Sequence, residues 1–163
     1  MRIVFDLDGV LANTDHRHHY LDQAKPDWVS FTKACVDDDP EPVPFELLKT
    51  LAPHHHIEIW SGRIAGSTNS IMDATINWLT THSPDLTFQP TSPAKFFADP
   101  TTIKVRLRPF DVLYTGPNLL HQWIVNAIKA KAKPDLAFED RSNHVETWRR
   151  FNIPCYQTDP GDF

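Results

Sequence analysis

The chain opens with Met1-Arg-Ile-Val-Phe-Asp6-Leu-Asp8-Gly9-Val10-Leu11, an apolar run followed by two aspartates and a glycine. Residues 2–7 are mostly apolar and β-branched, which is typical of a strand buried on both faces. Asp6 and Asp8 follow where this strand ends. In an open α/β sheet, ligands bind outside the carboxyl ends of the strands. The sequence therefore predicts an α/β fold with Asp6 and Asp8 facing a ligand.

The spacing of the two aspartates points to a reaction. Because side chains alternate along a strand, residues 6 and 8 point the same way. Two carboxylates this close need a cation between them, or a proton on one of them. Both conditions suit phosphoryl transfer, in which one aspartate attacks phosphorus and the other transfers a proton. An ordinary acidic turn is the alternative interpretation.

Length and composition favour one domain. The chain has 163 residues and a formal net charge of −5. No apolar run approaches the roughly 20 residues of a membrane span, and the N-terminus enters a strand directly, so we expect a cytoplasmic protein without membrane association. The negative charge argues against a nonspecific nucleic-acid coat. Cys35 and Cys155 do not make a disulfide framework and are predicted to be buried free thiols.

About fifty residues separate the first strand from the second. Helices are predicted over residues 26–36 and 41–51, and the length predicts a small helical flap or cap over the site, at about residues 12–55. Such a flap would exclude water during chemistry. The histidines at 54–56 are interpreted as a solvated turn, whereas His16 lies near Asp8 in sequence.

The second predicted strand, residues 57–60, ends in Ser61-Gly62-Arg63. A hydroxyl, a flexible glycine and a guanidinium can hold a phosphate at a strand end, and a helix predicted over residues 66–80 adds a favourable dipole. A plain Ser-Gly-Arg turn is the alternative.

The segment between residues 81 and 108 contains two different sequence patterns. Residues 81–100 are predicted to be an extended loop. Residues 103–108 alternate with period two, which puts Lys104, Arg106 and Arg108 on one strand face. That face would suit an extended phosphodiester, or it is simply solvated.

A third acidic strand end follows. A helix is predicted over residues 119–131, and the strand at 135–138 delivers Glu139-Asp140-Arg141. Hard cations take oxygen ligands from carboxylates, carbonyls and water, so this pair favours a divalent metal. A helix at 145–151 and a strand at 153–157 complete the prediction.

These motifs resemble those of a known superfamily. Asp6-Leu-Asp8-Gly9-Val10-Leu11, Ser61-Gly62-Arg63 and Glu139-Asp140 are similar, in this order, to motifs I, II and IV of the haloacid dehalogenase (HAD) superfamily of Mg²⁺-dependent phosphotransferases. The stretch from Phe138 to Gln157, with the closing Gly161-Asp162-Phe163, resembles the 3′-phosphatase domain of bacteriophage polynucleotide kinases and their stand-alone relatives. Asp15-His16-Arg17 and Asp27-Trp28-x-x-Phe31 also resemble the stand-alone members. The resemblance covers the chain except about residues 80–105.

The resemblance implies a Rossmann-like parallel sheet and an aspartyl-phosphate intermediate. It implies that Asp6 is the nucleophile, that Asp8 is the general acid/base, and that Ser61 and Arg63 hold the phosphate. Mg²⁺ would be held by Asp6, the Asp8 main-chain carbonyl and Asp140, with Glu139 farther out because the family usually has aspartate there. The remaining candidate substrate-binding residues are Gly62, Arg108, Lys104, His16, Arg17 and Arg141.

The motif III lysine of the family has no clear counterpart. Arg108-Pro109-Phe110-Asp111 resembles the segment that precedes it, but the expected lysine position falls near Leu120 or His121. A histidinium is charged mainly below its pKa near 6.5 and substitutes only in part. The candidates for this positive charge are, in order, His121, Lys104 and Lys129.

Three functions remain open from the sequence. The first is a phosphatase for 3′-phosphorylated nucleic-acid ends, and the second is a phosphatase for free (deoxy)nucleoside monophosphates. The third is a catalytically silent module that binds a nucleotide or a protein. The expected location is the cytoplasm, that of the host if the chain is phage-encoded, and the sequence predicts no oligomeric state.

Overall fold

A six-stranded parallel sheet forms the centre of the molecule. The computed structural model describes residues 1–65, 70–91, 102–109 and 115–158. The strand order is β5-β6-β4-β1-β7-β8, and each neighbouring pair is parallel. The strands of this sheet are β1 (Arg2–Phe5), β4 (His56–Ile64), β5 (Thr87–Pro90), β6 (Thr102–Arg108), β7 (Leu136–Glu139) and β8 (Cys155–Gln157). The predicted Rossmann-like α/β fold is confirmed.

The strand β1 is central because its residues are apolar on both faces. Ile3 and Phe5 pack into one core layer, with Phe45 and Leu79 among its members. Val4 packs into the layer on the other face, which includes Ile124. The sheet is thus covered on both sides, as expected for parallel strands.

Four helices supply these two layers. One layer receives residues of α2 (Pro42–Leu51) and α3 (Ser70–His82), and the other receives residues of α4 (Gly116–Lys129) and α5 (Ser142–Arg150). None of the helices in the described ranges is both long and apolar enough to cross a membrane.

The segment between β1 and α2 forms a small subdomain. It contains the antiparallel pair β2 (Ala12–Asn13) and β3 (Asp39–Pro40), the helix α1 (Trp28–Lys33), and 3₁₀ turns at Asp15–Tyr20 and Ala34–Asp37. The first predicted helix, residues 26–36, is therefore shorter than expected and ends in a 3₁₀ turn. Asp27 caps α1, since its carboxylate accepts from the Ser30 N–H at 3.0 Å.

The prediction of an extended loop over residues 81–100 is wrong in part. The helix α3 continues to His82, and β5 pairs with β6 at the sheet edge. Phe88 is buried in the core, and its burial stabilises β5. The strand was not predicted because the residues around Phe88 are mostly polar. Residues 92–100 of this prediction lie outside the described residues, as do the first four of the helix predicted at residues 66–80.

Of the three basic residues predicted to share a solvated face of β6, Arg106 departs from the prediction. Arg106 is buried, and its guanidinium carbon lies 4.6 Å from the Trp60 ring centroid and 5.4 Å from that of Trp123. Burial lowers the pKa of Arg106 to about 10, against the opposing charge of Glu58. Lys104 donates to Gln89 at 3.1 Å. Two of the three basic side chains are thus engaged by neighbouring strands.

Candidate active site

The carboxyl ends of β1, β4 and β7 meet around one cavity. Its volume is about 440 Å³, within the range of small-molecule pockets. Asp6 follows β1, Arg63 lies near the end of β4, and Glu139 ends β7, and all three line the cavity. Because these strands are neighbours in the sheet, residues that are far apart in the sequence converge here.

Asp6 lines this cavity and is partly buried. Its Oδ1 accepts a hydrogen bond from the Leu7 N–H at 2.8 Å. Burial, followed by the charges of Glu139 and Asp140, raises the pKa of the Asp6 carboxyl well above its usual value. An additional cation would favour the ionised form that a nucleophile requires.

Asp6, Glu139 and His144 form a group with metal-ligating capacity. Each offers one ligand atom, and the three atoms lie within 4.8 Å of one another. Burial and the adjacent Asp140 raise the pKa of Glu139 to about 8. The resemblance put Glu139 farther from the metal than Asp140, whereas in the structure Glu139 lies within this group. His144 was not among the predicted residues, although its position in the first turn of α5 after an acidic strand end is a signal for it.

Asp140 lies against the glycine of motif I. Both of its carboxylate oxygens are buried without a hydrogen-bond partner among the described residues. A Cβ added at Gly9 would lie 2.3 Å from Asp140 Oδ2, and Gly9 has φ +80°. Only glycine therefore fits this approach.

Asp8 is held by two guanidinium groups. Arg63 Nε lies 2.9 Å from Asp8 Oδ1, and Arg17 Nη2 lies 2.6 Å from the same oxygen. Burial alone would raise the pKa of Asp8, but Arg63 and Arg17 outweigh it and hold this pKa well below its usual range. In this state Asp8 is an ionised ion-pair partner.

The same two arginines share a second carboxylate, Asp38. Arg17 Nε lies 2.7 Å from Asp38 Oδ1, and Arg63 Nη2 lies 2.6 Å from Asp38 Oδ2. Asp38 is 3% exposed, so the four groups form a buried network of two positive and two negative charges. Asp38 was missed in the sequence because it is one of three consecutive aspartates, Asp37 to Asp39, that resemble a helix stop.

The contacts of this network differ from the phosphate- or substrate-binding roles expected for Arg63, Arg17 and His16. Arg63 does line the cavity, but its guanidinium faces Asp8 and Asp38, and it is not an open fork for phosphate. Arg17 is fully buried and also stacks on Phe31, 4.1 Å from the ring centroid. His16 contacts Asp38 at 2.9 Å and does not line the cavity.

Several predicted residues do line the cavity. Besides Asp6, Asp8, Arg63 and Glu139, they are Arg17, Ser61, Gly62, Arg108 and Arg141. The Ser61 hydroxyl oxygen accepts from the Arg63 N–H at 3.2 Å, which leaves its own proton to donate. The flap contributes Trp28, Phe31 and Thr32 to the lining of the cavity.

The residues expected to replace the motif III lysine lie elsewhere. His121 is exposed on α4, with its ring 5.0 Å from that of Phe151. Lys104 bonds to Gln89, and Lys129 is exposed near the end of α4. None of the three lines the cavity. The structure does not bring His121 to the cavity, because its side chain is exposed on α4. Residues 110–114, which include Asp111, lie outside the described residues.

The chain was compared with solved structures. It aligns over 99% of its length with a chain in a structure of a Pnkp1/Rnl/Hen1 RNA repair complex, at 18% identity and a TM-score of 0.71. A haloacid dehalogenase-like hydrolase from Streptococcus pneumoniae aligns over 96% of this chain and 83% of its own, at 16% identity and a TM-score of 0.54. The protein has the HAD fold.

A further HAD-fold structure supports this assignment. A HAD-family enzyme from Bacteroides thetaiotaomicron, in complex with magnesium and inorganic phosphate, covers 99% of this chain and 96% of its own, at 14% identity and a TM-score of 0.50. This chain spans only 43% of the matched chain in the RNA repair complex. No protein-family profile and no curated protein sequence matches this chain.

Proposed function

We propose that this HAD-fold protein is a phosphomonoester hydrolase that removes a terminal phosphate from a nucleotide or from the 3′ end of a polynucleotide. The observation that supports this most is the position of Asp6 and Asp8 beside Ser61 and Arg63 around one cavity. These groups supply a nucleophile, a proton carrier and phosphate-binding donors. The similarity to a chain of an RNA repair complex supports a nucleic-acid end as the substrate.

The reaction uses the two aspartates in turn. Asp6 attacks phosphorus, and the P–O bond to the leaving alcohol breaks while Asp8 gives that oxygen a proton. A water then attacks the aspartyl-phosphate as Asp8 takes back a proton, and inorganic phosphate leaves. Asp8 is ionised beside Arg17 and Arg63. An arriving phosphate competes with Asp8 for these guanidiniums, and their redirection towards phosphate favours the protonated acid.

The buried acids fit a divalent cation, for which we propose Mg²⁺. The buried oxygens of Glu139 and Asp140 that lack hydrogen-bond partners among the described residues suit a hard cation. Asp6, the Asp8 main-chain carbonyl, Glu139 and Asp140 would hold it. When bound, Mg²⁺ supplies charge neutralisation for the phosphate and for the carboxylates around it.

The flap was predicted at about residues 12–55, and α2 within that range packs into the core. Its part before α2, residues 12–41, is proposed to exclude water from the reaction. It is joined to the site by Arg17 and Asp38, and α1 contributes Trp28 and Phe31 to the cavity wall. Aromatic residues in the lining of the cavity suit a nucleobase, since every base offers a face for stacking.

Free nucleotides are the second candidate substrate. Arg106 is buried against Trp60 and Trp123, and Lys104 is bonded to Gln89, so β6 does not present the basic track that an extended polynucleotide would use. This observation favours a substrate that fits within the cavity.

A phosphate-release assay tests the proposal. The chain is incubated with Mg²⁺ and a panel of nucleoside monophosphates and 3′-phosphorylated oligonucleotides, and a parallel series contains excess EDTA. We expect release that EDTA abolishes and Mg²⁺ restores, and the preferred substrate separates the two candidates. Absence of release across the panel would favour a catalytically silent binding module.

A further inference from the structure

His144 lies where a metal ligand is needed. It belongs to the first turn of α5, and its side chain is 13% exposed. The ring Nδ1 lies 3.3 Å from Glu139 Oε1, and both residues share the ligand group with Asp6. The ring therefore faces the acids at the ends of β1 and β7.

The contact between His144 and Glu139 is not a hydrogen bond. Glu139 Oε1 is buried and has no hydrogen-bond partner among the described residues, and the same holds for His144 Nε2. Glu139 itself is 3% exposed. A buried carboxylate oxygen without a donor, within a group of ligating atoms, suits a cation.

The separation of the two atoms fits shared coordination. Two ligands about 2.1 Å from one ion, at right angles to each other, lie about 3 Å apart. The observed 3.3 Å between Nδ1 and Oε1 is close to this value. A single ion can thus contact the ring nitrogen and the carboxylate after small side-chain shifts.

We propose that His144 supplies a nitrogen ligand to the metal ion bound by Asp6 and Glu139. Imidazole is a good ligand for first-row transition metals, whereas Mg²⁺ prefers oxygen ligands. A nitrogen ligand from His144 therefore suits the site to a first-row transition-metal ion, and Mn²⁺, which shares the oxygen preference of Mg²⁺, serves as the paramagnetic probe. The His144 ligand rests on the proposed function only for the location of the metal. Metal ligation is measured directly and does not require that the protein turn over a substrate.

Pulsed electron paramagnetic resonance on the Mn²⁺-loaded full chain tests the nitrogen ligand directly. We expect electron spin echo modulation from a coordinated ¹⁴N, and its replacement by a ¹⁵N pattern when the protein is labelled with ¹⁵N-histidine. His144→Gln should remove the nitrogen signal, whereas His54→Gln, which changes an exposed histidine before β4, should keep it.

Affinity measurements give a second readout. Loss of an outer-shell partner already costs about 10- to 100-fold in metal affinity, so His144→Gln should weaken Mn²⁺ binding at least 10-fold and Mg²⁺ binding much less. The labelled wild type answers the question even if this variant fails to fold.

The outcomes separate this inference from the proposed function. Bound Mn²⁺ without a nitrogen signal, in a protein that releases phosphate, would overturn the His144 ligand and leave the function standing. A nitrogen signal in a protein that releases no phosphate would support the ligand and overturn the function. No detectable Mn²⁺ binding would overturn the inference.

Discussion

Arg63 Nη2 lies 2.6 Å from Asp38 Oδ2, and this ion pair joins the end of β4 to the segment just before α2. The same arginine also contacts Asp8 at the end of β1. One guanidinium thus connects the reactive strand end to the flap. Because both side chains are nearly inaccessible to water, the contact is screened little by salt.

Asp38 should stabilise the fold through its two arginine partners. Asp38→Asn leaves Arg17 and Arg63 with one carboxylate between them, and breaking a buried pair typically costs about 3–5 kcal/mol. We expect a lower midpoint in urea unfolding and a reduced kcat, because both arginines lose their fixed positions. Asp39→Asn, an exposed neighbour, is the matched control and should unfold at the wild-type midpoint. Equal midpoints for the two variants would contradict the structural role of Asp38.

Asp6→Asn tests the proposed nucleophile. The variant should release no phosphate, because the amide cannot form an aspartyl-phosphate. Its fold should be intact, since the adjacent Phe5 and Leu7 make the packing. Circular dichroism and the unfolding midpoint check the fold, and phosphate release checks the chemistry. Substantial turnover by a folded Asp6→Asn would refute the mechanism.

The strand ends were predictable from the sequence. The apolar run before Asp6 and the one before Glu139 each show a local pattern, and parallel pairing brings their ends together. The strand predicted to end before Ser61 is longer than expected, because β4 continues through Ser61, Gly62 and Arg63 to Ile64. Buried free thiols at Cys35 and Cys155 were predicted because two cysteines far apart in the sequence do not make a disulfide framework, and they are confirmed.

The charge network was not predictable in this way. Asp38 contacts Arg63, which lies 25 positions later, and this pairing depends on how the flap folds back. The alternation along β6 suggested that Arg106 faces a ligand, and the resemblance suggested the same of His121. Tertiary packing decided otherwise, since two tryptophans cover Arg106 and the helix α4 turns His121 outward.

Gly9→Ala should damage both stability and metal binding. The residue has positive φ, and the new Cβ would overlap Asp140 Oδ2. Backbone strain of this kind costs about 1–3 kcal/mol, and displacement of Asp140 would disturb the proposed ligand set. Gly62→Ala is the control for stability, because a Cβ there meets no atom within 4 Å. Thermal unfolding with and without Mg²⁺ compares the two. A Gly9→Ala protein as stable as Gly62→Ala would be inconsistent with this close approach.

The two thiols should be inert in the folded protein. Cys35 is 1% exposed and Cys155 is 7% exposed. Burial raises the pKa of both, that of Cys155 to about 12, so little thiolate forms at pH 8. We expect negligible reaction with a disulfide reagent at this pH, and reaction of two thiols per chain in denaturant. Rapid labelling of the native protein would show that one thiol is accessible.

Trp28→Ala should weaken nucleotide binding. Trp28 lines the cavity from α1, yet its side chain remains 50% exposed, and its ring stands edge-on to Phe31 with centroids 5.8 Å apart. Stacking of a base on an aromatic ring contributes about 1–3 kcal/mol, so KM for a nucleoside monophosphate should rise roughly 10-fold with kcat little changed. Glycerol phosphate, which has no base, should show no such rise.

Val29→Ala, at a more exposed residue outside the cavity wall, is the matched control for KM. An equal rise for nucleotide and glycerol phosphate would show that Trp28 shapes the phosphate site instead of the base site.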